Sequence, residues 1–232
     1  MTSRMTFDVV GQGAVTVSLV NAVIAGWTGR DQAAVDHHIA ELQAIGVAPP
    51  SCVPLFYRVG SELITQAKVI ETVGATTSGE IEPLLLDDGE TLYLGLGSDH
   101  TDRDLEAHSV ALSKQVCPKP VATSLWRFDE VCDHLDQIEL RSFVRDGDSS
   151  DWVAYQDGAM AKIRPLAELA ARCPLAAGQT RLQAGTVMMS GTLGVLSGGV
   201  RPSRYFKMVM HDPILSRSIT HAYECRALPV IN

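Results

Sequence analysis

The chain has 232 residues, a mass of 25.0 kDa and a formal net charge of −8, from 19 basic and 27 acidic side chains. This length suits one large domain, or one domain with a small appendage, and it can bury a core without disulfides. The acidic balance argues against general binding to nucleic acid and against adsorption to anionic membranes, because both need a basic surface.

Several other classes of protein are excluded by missing sequence features. We expect no signal peptide, because no basic start is followed by an apolar run, and no stretch approaches the roughly 18 apolar residues of a membrane helix. The five cysteines lack a CxxC pair, which is typical of reduced thiols in a cytoplasm. No GxGxxG, P-loop or GxSxG motif is present. We therefore predict a cytoplasmic protein.

The N-terminal third is predicted to hold a hairpin, a strand and a helix. The hairpin covers residues 6–20 around Gly11-Gln12-Gly13, and a strand follows over residues 21–27. Asp31 is expected to cap a helix that ends near Gly46. The proline pair within residues 48–51 marks a linker, so we divide the chain into residues 1–50 and residues 51–232.

The remainder of the chain is predicted to be mostly strands. A helix is expected from Asp102 to about Gln115, with Thr101 and Asp104 at capping-box spacing, and a short helix should begin at Pro165. The predicted strands cover residues 54–58, 68–72, 80–86, 91–98, 138–145, 152–156, 186–190, 203–211 and 218–225. Many strands with few helices favour an α+β, β-rich or sandwich-like fold over a doubly wound sheet.

One acidic hairpin is the most informative segment. Asp88-Gly89 predicts a two-residue turn between strands. In the resulting register Glu82 lies opposite Gly95 and Glu80 lies opposite Gly97. Because alternate side chains of a strand share a face, both glutamates point to the same side of the hairpin. We expect the glycines to leave open space beside them.

Asp99 belongs to the same face, so Glu80, Glu82 and Asp99 are predicted to converge. Three carboxylates repel one another, and an apolar strand does not carry them inward without compensation. A bound divalent cation would compensate them, and an all-oxygen set suits Mg²⁺, Mn²⁺ or Ca²⁺ rather than zinc. Alternatively, the face is solvated, or Arg103 and Lys114 neutralise it. The hairpin alone leaves these interpretations open.

The predicted N-terminal helix carries a candidate general base. His38 falls within its apolar stripe, and Glu41 follows three residues later, so the two side chains can touch. A carboxylate beside an imidazole orients the ring and raises its basicity. The alternative is a histidine that only packs and hydrogen-bonds, and the helix alone favours that alternative.

The order of these motifs resembles the fumarylacetoacetate hydrolase superfamily. His38-Ile39-Ala40-Glu41 matches the His-x-x-Glu part of that family's lid segment. Glu80-Ile81-Glu82 matches its Glu-x-Glu strand. Residues 98–106, which read SDHTDRDLE, resemble its Asn-Asp-x-(Ser/Thr)-x-Arg-Asp-Leu-Gln motif.

Two further motifs extend the resemblance toward the C-terminus. Lys114 with Cys117-Pro118-Lys119-Pro120 resembles the family's lysine and its Cys-Pro-x-Gly-Pro turn. Residues 182–193 resemble its Leu-x-Pro-Gly-Asp-x-Ile-x-Thr-Gly-Thr-Pro motif. The chain departs from the family in lacking the Asn-Tyr entry of the lid and the glycine of the turn.

The resemblance implies a fold and a metal centre. The fold would be a mixed β-sandwich roll in a homodimer, with residues 1–50 as an N-terminal hairpin and lid segment and residues 51–232 as the catalytic domain. Each site would bind one divalent metal, Mg²⁺ or alternatively Mn²⁺ or Ca²⁺, through Glu80, Glu82 and Asp99.

The resemblance also implies roles for residues around the metal. His38, oriented by Glu41, would activate water, and the helix that carries them would close over the site. Lys114 would hold a carboxylate or enolate oxygen of the substrate. Gly191-Thr192 and Arg103 would bind the substrate.

The implied function is that of an enzyme acting on a small anionic 2-oxo or 1,3-diketo acid. Hydrolysis of a C–C bond of the acylpyruvate type, through a metal-stabilised enolate, is the reaction we favour. The alternatives are an oxaloacetate-type decarboxylase and a hydratase, dehydratase or isomerase of a 2-oxo acid. A non-catalytic ligand-binding protein on the same fold is the competing class.

Overall fold

Short apolar segments separated by glycine-rich and polar turns form strands throughout the chain. The structure is a computed structural model that describes residues 3–44 and 49–231, without the side chains of residues 38, 41, 42 and 44. Its strands are β1 (Ser3–Val9), β2 (Gly13–Leu19), β3 (Asn21–Gly26), β4 (Leu55–Val59), β5 (Ile64–Thr65), β6 (Val69–Val73), β7 (Thr77–Ser78), β8 (Ile81–Asp87), β9 (Leu92–Ser98), β10 (Thr101–Asp102), β11 (Lys119–Pro120), β12 (Ser124–Arg127), β13 (Glu139–Arg145), β14 (Val153–Ala159), β15 (Thr186–Met189), β16 (Tyr205–Asp212) and β17 (Arg217–Leu228). The α-helices of this described part are α1 (Gln32–Ala44), α2 (Arg103–Glu106), α3 (Val110–Gln115) and α4 (Leu166–Arg172).

Two mixed sheets account for most of the fold. One has eight strands in the order β2-β1-β12-β9-β8-β15-β3-β4, and the other has five in the order β14-β13-β16-β17-β6. Apolar side chains of both sheets meet in one buried cluster, which includes Leu85, Leu94, Leu140 and Met208. The prediction of a β-rich fold with few helices is confirmed. The division at residue 50 and the lid role of α1 stay predictions.

The β8–β9 hairpin is buried on both faces. Leu85 packs in the cluster between the two sheets, whereas Leu84 and Leu86 pack in a second apolar cluster on the opposite face. Every residue of both strands is buried. Glu82 lies on the same face as Leu84 and Leu86, because every second side chain of a strand shares a face, so its carboxylate lies at the end of an otherwise apolar face.

The predicted two-residue turn at Asp88-Gly89 is wrong. Asp87 pairs with Leu92, which leaves four residues in the connection. The carboxylate of Asp88 accepts hydrogen bonds from the backbone N–H groups of Glu90 at 2.8 Å and Thr91 at 2.7 Å, and this bonding stabilises the longer loop. The register is displaced by two residues from the prediction. An even displacement keeps every side chain on its predicted face.

The single helix predicted from Asp102 to Gln115 is also wrong, because it divides into α2 and α3. Asp102 caps α2 by accepting a hydrogen bond from the backbone of Leu105 at 3.0 Å. Ser109 caps α3 in the same way, from Leu112 at 3.3 Å. A serine side chain that bonds the backbone ahead of it favours a new helix start over continuation. Asp102 therefore takes the capping role predicted for the residue before it.

The other helix predictions differ little from the structure. Asp31 caps α1, since its carboxylate accepts from two backbone N–H groups at 3.0 and 3.2 Å. On that helix Val35 is buried and Ile39 is half-buried, as the apolar stripe predicts. The predicted end near Gly46 lies outside the described residues. Pro165 is the residue before α4 rather than its first residue.

Asp87 fastens the turn end of the β8–β9 hairpin. Its fully buried carboxylate accepts from Arg181 Nε at 2.5 Å and Nη2 at 2.6 Å, and from the backbone of Gly89 and Leu182. Burial alone would raise the pKa of Asp87, but these hydrogen bonds outweigh burial and lower it.

Asp87→Asn should lower the free energy of unfolding by about 2 kcal/mol at pH 7, because hydrogen bonds to a charged group contribute roughly 1.5–3 kcal/mol. Urea denaturation measures the change. The pKa of Asp87 is lowered in the folded state, so its contribution to the free energy of unfolding is present above the unfolded pKa of about 4. This contribution is lost as the pH falls below that value. The difference between variant and wild type should therefore narrow in acid.

Asp129→Asn provides the matched control for this prediction. Asp129 pairs with Arg127 on the surface, where ion pairs contribute little. An equal loss of stability in the two variants would contradict the role assigned to Asp87.

Candidate metal centre

The β8–β9 register brings the three predicted metal ligands together. Glu80 precedes β8 and Asp99 follows β9, and the backbone N–H of Asp99 donates to the carbonyl of Glu80 at 3.1 Å. Glu82 pairs with Gly97 on the same face. One carboxylate oxygen from each acidic residue lies within 4.8 Å of the others. The convergence predicted from strand alternation is therefore present despite the shifted register.

The acidic cluster is buried. Asp99 is fully buried, Glu82 is 2% exposed and the Glu80 side chain is 17% exposed. The open space predicted beside the glycines is absent at Gly97, because a Cβ atom there would lie 2.8 Å from Met189 Cε. Apolar side chains occupy that volume. Buried carboxylates in such surroundings need compensating charge or hydrogen bonds.

Two lysines compensate Asp99. Lys114 Nζ donates a short hydrogen bond to Asp99 Oδ2, and Lys119 Nζ lies 3.4 Å from Oδ1. Burial alone would raise the pKa of Asp99, but the two positive charges outweigh burial and lower it to about 2. Burial alone would lower the pKa of Lys114, but the negative charges of Asp99 and Glu80 raise it. Asp99 and Lys114 therefore form a buried ion pair.

Arg103 compensates Glu80. Its guanidinium lies 3.2 Å from Glu80 Oε1, donates to Glu106 at 2.8 Å and donates through Nε to Ser78 Oγ at 2.6 Å. Burial alone would lower the pKa of Arg103, but the charges of Glu80 and Glu106 raise it. The neutralisation by Arg103 and Lys114 that we considered as an alternative to a metal therefore applies to two of the three carboxylates.

Glu82 is the carboxylate that has no cation of its own. Its Oε2 accepts from the backbone N–H of Gly191 at 2.8 Å, and among the described residues no basic group lies within ion-pair distance of it. Burial and then the negative charge of Asp99 raise the pKa of Glu82 well above its usual value. Gly191 has φ +93° and a Cβ there would lie 1.6 Å from Thr28 Oγ1, so only glycine brings this N–H to the carboxylate.

The donor set fits a hard divalent cation. The three ligands are carboxylates, and Asp99 Oδ1 is buried without a hydrogen bond. A dication among these oxygens would supply the positive charge that is missing beside the Glu82 carboxylate and would favour the ionised form of Glu82. Glu80, Glu82 and Asp99 could therefore hold Mg²⁺, Mn²⁺ or Ca²⁺ beside the basic side chains that already pair with Asp99 and Glu80.

Lys119 is a residue that sequence reasoning did not place in the site. It is fully buried and donates to the backbone carbonyls of His100 at 2.6 Å and Cys117 at 3.1 Å. A lysine on an apolar turn is rarely buried without partners. Its position between two prolines, in a turn from which the glycine of the family motif is missing, was the available signal.

His100 supports the site from behind the hairpin. It is buried, with Nδ1 at 2.9 Å from Tyr223 Oη and Nε2 at 2.8 Å from Thr77 Oγ1. Burial, followed by the charges of Lys119 and Arg103, lowers the pKa of His100 to about 3, so the ring is neutral. Because His100 directly follows Asp99 in the chain, its hydrogen bond to Tyr223 links this end of the hairpin to the five-stranded sheet.

Gly191 and Thr192, which were predicted to bind the substrate, form hydrogen bonds to Glu82 and Ile81 in the structure. Thr192 Oγ1 donates to the Ile81 carbonyl at 2.6 Å and accepts from Gln156 Nε2 at 2.8 Å. Together with Gly191, it is bonded to the strand that carries the glutamates. The side chains of His38 and Glu41 lie outside the described residues, and their roles stay predictions.

Two solved structures that are similar to this chain in fold are described as a hydrolase and a dehydratase. A crystal structure of a Burkholderia cenocepacia protein assigned as a fumarylpyruvate hydrolase aligns with a TM-score of 0.61 and 17% identity, over 99% of this chain and 97% of that chain. A 2-keto-3-deoxy-D-arabinonate dehydratase complexed with magnesium and 2,5-dioxopentanoate aligns with a TM-score of 0.61 and 14% identity, over 94% of this chain and 78% of that chain. At these identities the likeness shows the fold alone, which agrees with the prediction of a β-rich fold with few helices.

The chain belongs to the DUF2848 family of proteins of unknown function, whose profile matches residues 25–223. No curated protein matches it in sequence. Within the described residues, no helix is long and apolar enough to span a membrane.

Glu82→Gln should raise the midpoint of thermal unfolding of the metal-free protein at pH 8, because it removes the free-energy cost of either burying this carboxylate ionised or protonating it on folding. Since the pKa of Glu82 is raised in the folded state, wild type loses stability as the pH rises from the unfolded value toward the folded value. The advantage of the variant should therefore grow from mildly acidic to mildly alkaline pH, by about 2–4 °C per kcal/mol gained. Differential scanning fluorimetry in excess chelator measures it.

Glu80→Gln is the matched control, because it deprives Arg103 of one of its two carboxylates and should lower the midpoint. If Glu82→Gln melted below wild type at every pH, Glu82 would not be the uncompensated charge.

Proposed function

We propose that this protein is a divalent-metal-dependent enzyme that acts on a small 2-oxo or 1,3-diketo acid, with Glu80, Glu82 and Asp99 as the metal ligands. The buried three-carboxylate cluster carries the proposal, because Glu82 there has no cation of its own. The dehydratase of similar fold is complexed with magnesium and a dioxo acid, which supports this choice of metal and substrate class.

Glu80, Glu82 and Asp99 would hold the dication, which would supply Lewis-acid polarisation of a substrate carbonyl oxygen. Because Lys114, Lys119 and Arg103 already offset the carboxylates, a bound dication would give the site the net positive charge that an anionic substrate needs. Lys114 keeps Asp99 ionised and is the group we propose to hold a substrate carboxylate or enolate oxygen. Arg103 forms an ion pair with Glu80 and is proposed to contribute to substrate binding through its charge.

The reaction we favour is hydrolysis of a C–C bond of the acylpyruvate type. His38, oriented by Glu41, would remove a proton from the attacking water, and α1 would exclude bulk water as it closes over the site. The His-x-x-Glu spacing and the likeness in fold to the fumarylpyruvate hydrolase support this reaction. A cytoplasmic homodimer stays a prediction.

Dehydration or another lyase reaction of a 2-oxo acid is the second candidate. The dehydratase aligns with the same TM-score, 0.61, as the hydrolase, so the fold supports both reactions equally. Decarboxylation needs only the metal, whereas hydrolysis needs a base as well.

A panel assay separates these reactions. Wild type should hydrolyse acylpyruvates only with added Mg²⁺ or Mn²⁺, and the rate should fall to background with chelator and in Asp99→Asn. Hydrolysis is measured from the loss of the diketo absorbance. Coupled assays measure the decarboxylation of oxaloacetate and the dehydration of 2-keto-3-deoxy sugar acids. Turnover that persists in chelator would contradict the proposed metal dependence.

His38→Ala should reduce acylpyruvate hydrolysis by roughly 10²–10⁴-fold, the usual contribution of a general base, and should spare oxaloacetate decarboxylation. His37→Ala is the control, because that side chain leaves the helix in a different direction. Equal losses of both activities in His38→Ala would contradict its role as the base.

A further inference from the structure

β8, which contains Glu82 and directly follows Glu80, is no longer paired with β15 at the end where the proposed metal ligands lie. β15 pairs with β8 as far as Met189 opposite Leu84, and Ser190 N–H then donates to the Pro83 carbonyl at 3.0 Å. The chain turns away at Gly191. Beyond that point β15 no longer lies beside β8, although β8 continues to Ile81.

Ile81 therefore needs other hydrogen-bond partners on that side. It is fully buried, and a buried backbone N–H or C=O without a partner is costly. Its N–H donates to Gln156 Oε1 at 3.1 Å, and its carbonyl accepts from Thr192 Oγ1 at 2.6 Å. Two side chains thus replace the missing strand.

The two side chains also bond to each other and close a ring. Gln156 Nε2 donates to Thr192 Oγ1 at 2.8 Å. Three hydrogen bonds therefore join Ile81, Gln156 and Thr192 in a closed cycle. Ile81 is the residue between Glu80 and Glu82, so the ring holds the two peptides that connect the glutamates.

The orientation of the Gln156 amide is determined by its other partners. Its oxygen also accepts from Ser142 Oγ at 2.8 Å, and its nitrogen also donates to the Leu193 carbonyl at 2.6 Å. The Ile81 N–H can only donate and the Leu193 carbonyl can only accept, so a flipped amide would oppose like groups. Ser142 and Gln156 are buried in the five-stranded sheet, which anchors the ring to the opposite layer.

We propose that Gln156 and Thr192 are positioning residues of the metal centre, which keep β8 extended at Ile81 and so hold the Glu80 and Glu82 carboxylates on one face. This inference rests on the proposed function, in which those carboxylates bind a divalent metal. Thr192 then acts on the ligands rather than on the substrate, because its single hydroxyl hydrogen is used by the Ile81 carbonyl. Residues that orient metal ligands in this way strongly affect metal affinity.

The affinity for Mn²⁺, measured from the electron paramagnetic resonance signal of the free ion, tests the proposal on the full chain. Gln156→Met and Thr192→Val break the ring and should raise the dissociation constant by roughly 10–100-fold, the usual effect of losing such support. Thr192→Ser restores the hydroxyl and should return the constant close to the wild-type value.

Thr186→Val is the matched control, because Thr186 is a buried threonine at the far end of β15 whose hydroxyl accepts from Asn21 Nδ2 at 3.2 Å. It should bind Mn²⁺ as wild type does, whatever happens to its unfolding midpoint in chelator. Equal dissociation constants for Thr192→Val and Thr186→Val, or failure of Thr192→Ser to restore binding, would overturn the positioning role.

The proposed function and this inference fail in different ways. If wild type binds no Mn²⁺, the proposed function is overturned and the inference with it. If wild type binds Mn²⁺ and Thr192→Val binds it equally well, the inference alone is overturned. The threonine variants carry the test even if Gln156→Met does not fold.

Discussion

The burial of three carboxylates on the apolar β8–β9 hairpin is the constraint on which the rest of the site depends. Asp99 and Glu82 are almost completely enclosed, where an uncompensated charge is costly. Asp99 is balanced by Lys114 and Lys119. Glu82 accepts one peptide N–H and has no ion-pair partner among the described residues, so the buried cluster lacks a positive charge beside it that a metal would supply.

The surrounding elements are arranged to meet this constraint. Two separately capped helices, α2 and α3, bring Arg103 to Glu80 and Lys114 to Asp99. From the five-stranded sheet, Gln156 bonds to Ile81 and Tyr223 bonds to the neutral His100, and each of these two partners is adjacent in the chain to an acidic residue. The same buried polar contacts that join the two sheets therefore also determine where the carboxylates lie.

Strand alternation predicted the acidic face correctly even though the predicted turn was wrong. The true loop is two residues longer than the predicted one, so every strand pairing is shifted by two residues. An even shift leaves Glu80, Glu82 and Asp99 on one face. Lys114 was anticipated from its motif and does contact Asp99. Gln156 was not anticipated, because it lies 75 positions from Ile81. Lys119 was not anticipated, because its contact with Asp99 depends on burial of the lysine.

The sequence by itself determined the period-two pattern of the strands and the helix cap at Asp31, because these depend on neighbours a few residues apart. It also determined the grouping of the carboxylates, because that depends on the pairing of two consecutive strands in one hairpin. Only the tertiary structure decided which carboxylate has a cation and which side chains complete β8 at Ile81. Those outcomes depend on burial and on hydrogen bonds between remote segments, and such contacts arise only when the two sheets pack together.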